Sequence, residues 1–207
     1  MSVFLEVRNL CVDKSGKRIL DNISLAVRTG EKVLVRGASG SGKSTLLKAL
    51  LFFEPGARGE ILLQGKPVSR ASVRAYRSRF SYVGQRPPIY SGTVRECLDL
   101  PFSFAANRGL AVDETLRAGY LDRFGLQQGV LEQQYASLSG GQQQRIAIIQ
   151  ALQLNRPVAV LDEITSSLDP DNVDRVVRAV LDDADRTVIT VSHDREWQGQ
   201  GMTEYVL

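Results

Sequence analysis

The 207-residue sequence predicts an α/β fold of parallel βαβ units, with an antiparallel β subdomain at its N-terminus and an α-helical subdomain inserted within it. Three observations carry this expectation. The short apolar run Val33 to Val35 passes directly into GASGSGKST and then into an amphipathic stretch, giving strand, glycine loop, helix. The buried-type strands PVAVLDE and RTVITVSHD enclose the helical pattern NVDRVVRAVLDDA with no hairpin spacing between them, so they are expected to run parallel. From Arg86 to about Asn155 strand patterning gives way to prolines and amphipathic stretches. The predicted organisation is therefore a single domain over residues 1–207 with a helical insertion at about 86–155.

Taken in order, alternating apolar residues in VFLEVRNL and ILDNISLAV, followed by the turn-like Arg28-Thr29-Gly30, predict two antiparallel strands. After the glycine loop, Leu46, Leu47, Ala49, Leu50 and Leu51 form a helical apolar face that Pro55 and Gly56 end. GEILLQG and RFSYVGQ read as strands, the second closing at Gly84-Gln85. Arg70, Arg74 and Arg77 recur at helical spacing on what would be one solvated face. Pro87, Pro88 and Pro101 punctuate the insertion, whose stretch DETLRAGYLDRFGL is amphipathic. The helix after it places Val173, Val176, Val177, Val180 and Leu181 together.

A hydrophobic content of 43% is enough for a full core at this length and sets the chain apart from disordered sequences. Net charge is +3, from 26 basic and 23 acidic residues, which is a mixed surface and not a basic stripe, so nucleic acid is not an expected partner. Cys11 and Cys97 have no CxxC spacing and fit a reduced compartment, each packed as a small apolar group. MSVFLEVRNL lacks the parts of a signal peptide, and no apolar stretch approaches the roughly 20 residues of a membrane helix. A soluble, cytoplasmic chain that reaches a membrane only through another protein is the expectation.

The segment Gly37-Ala38-Ser39-Gly40-Ser41-Gly42-Lys43-Ser44 satisfies GxxxxGK[ST] in the required strand-to-helix context, with Thr45 in the first helical turn. Glycines let backbone amides curl around a phosphate chain, and the helix starting near Gly42 presents unpaired N–H groups and a positive dipole end. Lys43 would neutralise the β and γ phosphates, and Ser44 would ligate Mg²⁺. Asp162 and Glu163 end a buried strand, where Asp162 is suited to hold Mg²⁺ through water and Glu163 to orient and deprotonate an attacking water. Two adjacent carboxylates at such a place are costly unless a cation or proton relieves them. His193, the single histidine, ends another strand, and a parallel sheet would deliver it to the same crevice to bond a γ-phosphate and the attacking water. Gln85, at a third strand end, can coordinate Mg²⁺ and sense the γ-phosphate while the helical insertion swings with it.

The octapeptide LSGGQQQR opens directly into the helical run IAIIQALQL. Gly140 and Gly141 permit close backbone approach, Ser139 can donate to a phosphate, and the helix aims its positive end at an anion. With GASGSGKST, Gln85, AVLDE, the SSLD of residues 166–169 and His193 in this order, the chain resembles the nucleotide-binding subunits of ABC transporters from Val3 to Leu207. That resemblance implies a P-loop NTPase (RecA-like) core, ATP and Mg²⁺ as cofactors, and ATP hydrolysis. It also implies head-to-tail pairing of two copies, in which Ser139, Gly140, Gly141 and Gln142 of one cover the ATP on the other's phosphate loop and Asp169 lies at the interface. A separate integral membrane permease and a peripheral place on the cytoplasmic side of the inner membrane follow from the same resemblance.

Within the family, YRSRFSYVGQRPPIYSGTVRECLDLPF together with LDEITSSLD resembles the ATPase subunits of bacterial iron exporters, which implies export of a small solute, with iron among the candidates. Pro87, Pro88, Ile89 and Tyr90 would then lie where the permease docks; the alternative is a rigid proline turn with Tyr90 packed on its own subdomain. A soluble ABC-type ATPase of DNA repair or chromosome maintenance is the rival. It would carry a long coiled coil between phosphate loop and LSGGQ, whereas only residues 44–137 intervene here, without sustained heptads. No large regulatory domain is expected after His193. One departure stands out: where the family carries an adenine-stacking aromatic, this sequence reads Cys11-Val12-Asp13-Lys14. Losing such a ring costs about 1 to 3 kcal/mol, which implies weaker selectivity for adenine.

Overall fold

The computed structural model describes residues 2–198 and 200–207. Strands β1 (Val3–Lys14) and β2 (Lys17–Arg28) form an antiparallel hairpin around Ser15-Gly16, longer than the alternation suggested because β1 continues through residues 11–14. Strands β4 (Ala57–Leu63) and β5 (Lys66–Pro67) complete a sheet of order β2-β1-β4-β5. Asn9 and Asn22 take left-handed φ values of 51° and 53°, and the β1–β2 register shifts around them. Asparagine tolerates that conformation, and the resulting bulges let Leu5 and Val7, then Leu10 and Val12, all face the core although their spacing breaks strict alternation.

The second sheet holds β3 (Lys32–Arg36), β6 (Phe80–Val83), β7 (Val158–Asp162), β8 (Thr187–Val191) and β9 (Thr203–Val206) in the order β6-β7-β8-β3-β9, every neighbouring pair parallel. Strands β7 and β8 are buried at every position, which is why they read as unbroken apolar runs. Val33, Val35, Val160, Ile189 and Val191 pack with the antiparallel sheet and helix α1 (Lys43–Leu50). Leu34, Ala159, Leu161 and Val188 point the other way, against the helices. The polar sequence TEYV hides β9, an edge strand with mostly exposed side chains that pairs only with β3 among the described residues.

Residues 86–155 contain α3 (Val94–Ser103), α4 (Glu114–Arg123), α5 (Gly140–Leu152) and short 3₁₀ turns. Thr93 and Glu96 form a capping box for α3, and Asp113 caps α4. Arg117, fully buried on α4, bonds Asp99 at 2.5 Å, Glu114 at 3.2 Å and Gln153 at 3.3 Å, tying α3, α4 and the end of α5 together. Helix α6 (Pro170–Leu181) begins with Asp169 as cap and Pro170 in the first turn, and buries Val173, Val176, Val177 and Val180 as its spacing predicts. No helix among the described residues is long and apolar enough to cross a membrane.

Two surface expectations are corrected. Helix α2 (Val73–Arg77) is too short to carry Arg70, and although Arg70 and Arg74 are exposed, Arg77 is not merely solvated. Its guanidinium donates to Leu51 O at 2.7 Å and Phe52 O at 2.6 Å and lies 4.6 Å over the Phe53 ring. Carbonyls just past α1 lack helical partners, and this arginine supplies them. Cys97 is buried as expected, whereas half-buried Cys11 accepts a hydrogen bond from the Asn22 amide at 3.2 Å within the bulge, and so serves as a polar partner there.

Trp197 is fully buried, and its indole N–H donates to Thr165 Oγ1 at 3.2 Å, pinning the segment after β8 to the one after β7. Trp197→Ala is expected to destabilise the protein by about 3–5 kcal/mol in urea unfolding, because it leaves a large cavity and unpairs a buried hydroxyl.

Candidate active site

The parallel strands all present their C-terminal ends at one edge of the sheet, and the chain leaves four of the five with a different functional group. Gly37 follows β3, Gln85 follows β6, Glu163 follows β7 and His193 follows β8. The loop after β3 needs its glycines. Gly42 has φ 99°, and a Cβ there would lie 2.8 Å from Leu20 Cδ2 and 3.1 Å from Ile19 Cγ2. Gly42 caps α1 without a side chain, so the first amides of that helix remain free for an anion. Lys43, only 5% exposed, folds under the loop and donates to Gly37 O at 3.1 Å and Ala38 O at 2.9 Å. Ser41 Oγ is buried with no partner among the described residues, an orphan hydroxyl of the kind a phosphate oxygen would satisfy.

Asp162 and Glu163 accept hydrogen bonds from three side chains, and a fourth stands nearby. Asp162 Oδ1 accepts from Ser44 Oγ at 2.7 Å and Oδ2 from the Tyr82 hydroxyl at 3.2 Å. Glu163 Oε2 accepts from Gln85 Nε2 at 2.8 Å, and Oε1 lies 3.5 Å from His193 Nε2. Hydrogen bonds from Ser44, Tyr82 and Gln85 ease the burial of this carboxylate pair. The oxygen donors nonetheless suit Mg²⁺: Ser44 and Asp162 are hard ligands already in contact, and Gln85 stands beside them through Glu163. Among the described residues no group of three His, Cys, Asp or Glu side chains forms a metal cage. Glu163 sits at φ 51°, a strained left-handed value for a glutamate, directly where the chain turns off β7.

Tyr82 went unnoticed in the sequence because it is one of several apolar-strand residues. Burial first, then the neighbouring Asp162 carboxylate, pushes its phenol up, so it stays a proton donor at physiological pH. Its position beside Asp162 depends on β6 pairing with β7, which no local pattern reveals.

The phosphate loop opens on a cleft of about 300 Å³, lined by Ser39, Gly40, Gly42, Lys43, Ser44, Thr45 and Glu163, with Lys14 and Ile19 at the hairpin side. No aromatic ring lines it. Val12 is fully buried, and the Lys14 ammonium is engaged by Glu54 at 2.8 Å.

A second group lies apart. Ser139 caps α5, its Oγ accepting from Gln142 N at 3.3 Å while Gln142 Oε1 accepts from Ser139 N at 3.0 Å. A Cβ at Gly141 would lie 3.3 Å from Leu168 Cδ2, so the start of α5 rests on the segment leading to Asp169. The Asp169 carboxyl is held below the usual carboxylate range by the Asn172 side-chain amide at 2.6 Å and then the Asn172 backbone N–H at 3.0 Å. Arg145, also overlooked as a separate feature, is buried and donates to Phe124 O at 2.7 Å and Gly141 O at 3.3 Å, bracing this helix start. Neither residues 139–142 nor Asp169 lines the phosphate-loop cleft.

A family model described as ABC transporter matches residues 20–166. The chain belongs to the ABC transporter family. This ABC ATPase is 35% identical over 198 residues to Probable iron export ATP-binding protein FetA of Escherichia coli (strain K12), covering 94% of this chain and 87% of that one. It is 38% identical over 186 residues to Transport/processing ATP-binding protein ComA of Streptococcus pneumoniae, covering 86% of this chain but 25% of that longer protein. The structure of cbiO1 from Clostridium perfringens, part of the ABC transporter complex cbiONQ, matches 100% of this chain and 85% of its own, with a TM-score of 0.82 at 27% identity. The chain is thus an ATP-binding subunit of ABC type that hydrolyses ATP, with the P-loop NTPase core expected from its motifs.

Two outcomes follow from the cleft. Lys43→Ala should weaken ATP binding about 10- to 100-fold in equilibrium titration, as expected for loss of charged hydrogen bonds to phosphate. With no ring to stack a base, binding should rest on the phosphates, and ATP and GTP should be hydrolysed with kcat/KM values within about fivefold of each other; competition assays measure the ratio directly.

Proposed function

We propose that this ABC ATPase is the motor subunit of a membrane exporter, working as a head-to-tail pair with Mg-ATP bound between the phosphate loop of one copy and residues 139–142 of the other. The observation that carries the proposal is the division of the site. One chain holds a glycine loop with free helix amides and, elsewhere, a capped helix start at Ser139, each shaped for an anion and neither reaching the other's cleft. A second copy supplies what each half lacks, and ATP then links binding to closure of the pair.

In this reading Gly37, Ala38, Ser39, Gly40, Ser41 and Gly42 wrap the phosphates, and Lys43 exchanges its loop carbonyls for β and γ oxygens. Thr45 lies in the first turn of α1 and faces the same cleft. Ser44, Asp162 and Gln85 would hold Mg²⁺, which supplies charge neutralisation to the triphosphate. Glu163 takes the proton of the water that attacks the γ-phosphorus, ADP leaves, and His193 donates to the γ-phosphate as charge builds. Ser139, Gly140, Gly141 and Gln142 of the second copy close over the γ-phosphate, and Asp169 joins the two sites across the interface. Loss of the γ-phosphate contacts releases the pair.

Coupling to a separate integral membrane permease is proposed through the segment after Gln85. Ile89 is fully exposed, and a cleft of about 470 Å³ beside it is lined by Arg86, Pro88 and Phe104. Tyr90 instead packs edge-on against Tyr135 at 6.2 Å, within its own subdomain, so docking is assigned to Pro87, Pro88 and Ile89. Residues 86–155 would swing as a helical subdomain, placing the chain peripherally on the cytoplasmic side of the inner membrane, with membrane contact through the permease and no role for nucleic acid. The relative named for iron export supports export of a small solute, with iron the first to test. The DNA-repair alternative gains no support, since residues 44–137 fold without a long coiled coil.

Tagged Glu163→Gln protein, purified from detergent-solubilised membranes with Mg-ATP, is expected to bring down a polytopic membrane protein and to turn over about 10² to 10⁴-fold more slowly than the parent. Recovery of soluble partners alone would overturn the transporter reading, and near-normal turnover would remove Glu163 from its role.

A further inference from the structure

We infer that Tyr82 is a positioning residue for the metal site, holding the Asp162 carboxylate in the orientation from which it serves Mg²⁺. The inference rests on the proposed role of Asp162 and adds to it a residue outside the recognised motifs. Asp162 is 3% exposed, and its two oxygens are each fixed by one hydroxyl, Ser44 on Oδ1 and Tyr82 on Oδ2. Those two donors have different fates. Ser44 is itself a proposed ligand, so its oxygen cannot be reserved for orienting the carboxylate. Tyr82 has no such second duty, and among the described residues it is the remaining donor to Asp162. The terminal torsion of an aspartate is broad and roughly two-fold, so one fixed hydrogen bond on the far oxygen decides which way the near oxygen faces.

Tyr82 is built to stay where it is. Its backbone is paired with Val160, two residues before Asp162, in the parallel β6–β7 ladder. Its ring meets the Phe53 ring edge-on at 6.4 Å, and Phe53 lies under the Arg77 guanidinium that holds the carbonyls of Leu51 and Phe52. Ser44 at the start of α1 bonds Asp162 directly, and Phe53, past the end of the helix, meets the ring whose hydroxyl bonds the same carboxylate. Tyr82 is also among the residues of β6 that border the cleft lined by Arg86, Pro88 and Phe104.

The test uses Tyr82→Phe, which keeps the ring and its packing and removes only the hydroxyl, placed in Glu163→Gln protein so that nucleotide survives the measurement. Binding of a fluorescent ATP analogue is followed first in EDTA and then as Mg²⁺ is titrated. The expected result is unchanged affinity in EDTA and a Mg²⁺ concentration for half-maximal tightening raised about three- to tenfold, the size of one hydrogen bond lost from a partly buried pair. A merely structural hydroxyl would lower the melting temperature and leave the Mg²⁺ midpoint in place. Asp162→Asn in the same background separates the two possible failures. If it abolishes tightening by Mg²⁺ while Tyr82→Phe matches the parent, the Tyr82 inference alone is overturned. If Asp162→Asn still tightens normally, the metal-site reading falls and this inference with it.

Discussion

The 2.7 Å hydrogen bond from Ser44 to Asp162 joins the first turn of α1 to the end of β7 across 118 positions of sequence. It can form only if β3 and β7 lie in one parallel sheet with β8 between them, because only then do the glycine loop and the carboxylates leave the sheet at the same edge. The extended apolar runs of β7 and β8 make that sheet central and doubly covered, and the antiparallel sheet and the helices occupy its two faces. The chemistry is consequently a product of sheet order: reversing any one strand would carry its terminal Gln85, Glu163 or His193 to the opposite end of the molecule.

Within that frame the carboxylates are prepared and not simply exposed. Three of their four oxygens accept hydrogen bonds, and the fourth faces His193, so neither charge is left bare in a half-buried crevice. Glu163 does this from a left-handed backbone conformation that costs of order 1–3 kcal/mol, which the flanking β7–β8 ladder and the Glu163 N–H to Val191 O bond at 3.0 Å must sustain. Strain at the residue proposed to take the proton, with unstrained residues on either side, is the pattern expected where function and stability conflict.

Features that depend on contiguous residues were legible in the sequence. GASGSGKST declares its strand, loop and helix because its glycines and lysine are contiguous and their spacing carries the motif. The meeting of Gln85, Asp162, Glu163 and His193 was also legible, since parallel strands deliver their ends together. Side chains with distant partners were not. Arg77 reads as a surface arginine until α1 is seen to end beneath it, and Tyr82 reads as a strand residue until β6 is paired with β7. Strand β9 is polar because it is an edge, and Cys11 is polar in use because a bulge at Asn22 turns an amide toward its sulfur. In each case the deciding neighbour is brought by tertiary structure, which single-sequence periodicity does not encode.

The two half-sites, though separate in one chain, are mechanically joined. Helix α5 begins at the Ser139 cap, and one turn further on buried Gln144 donates to Gly84 O at 3.4 Å, the residue immediately before Gln85. Gln85 in turn donates to Glu163. In the proposed pair, a nucleotide held by the second copy against the start of α5 would act on a helix that is bonded to the β6 exit, and the β6 exit is bonded to the proposed base. The same exit carries the chain into Pro87, Pro88 and Ile89, the segment assigned to the permease. Because packed helices tend to move as rigid bodies and not by stretching, these bonds give a shift at one of the three places a direct route to the other two. In the proposed function, the short path from Ser139 through Gln144 and Gly84 to Gln85 and Glu163 is the physical reason for hydrolysis, pairing and permease contact to share one element.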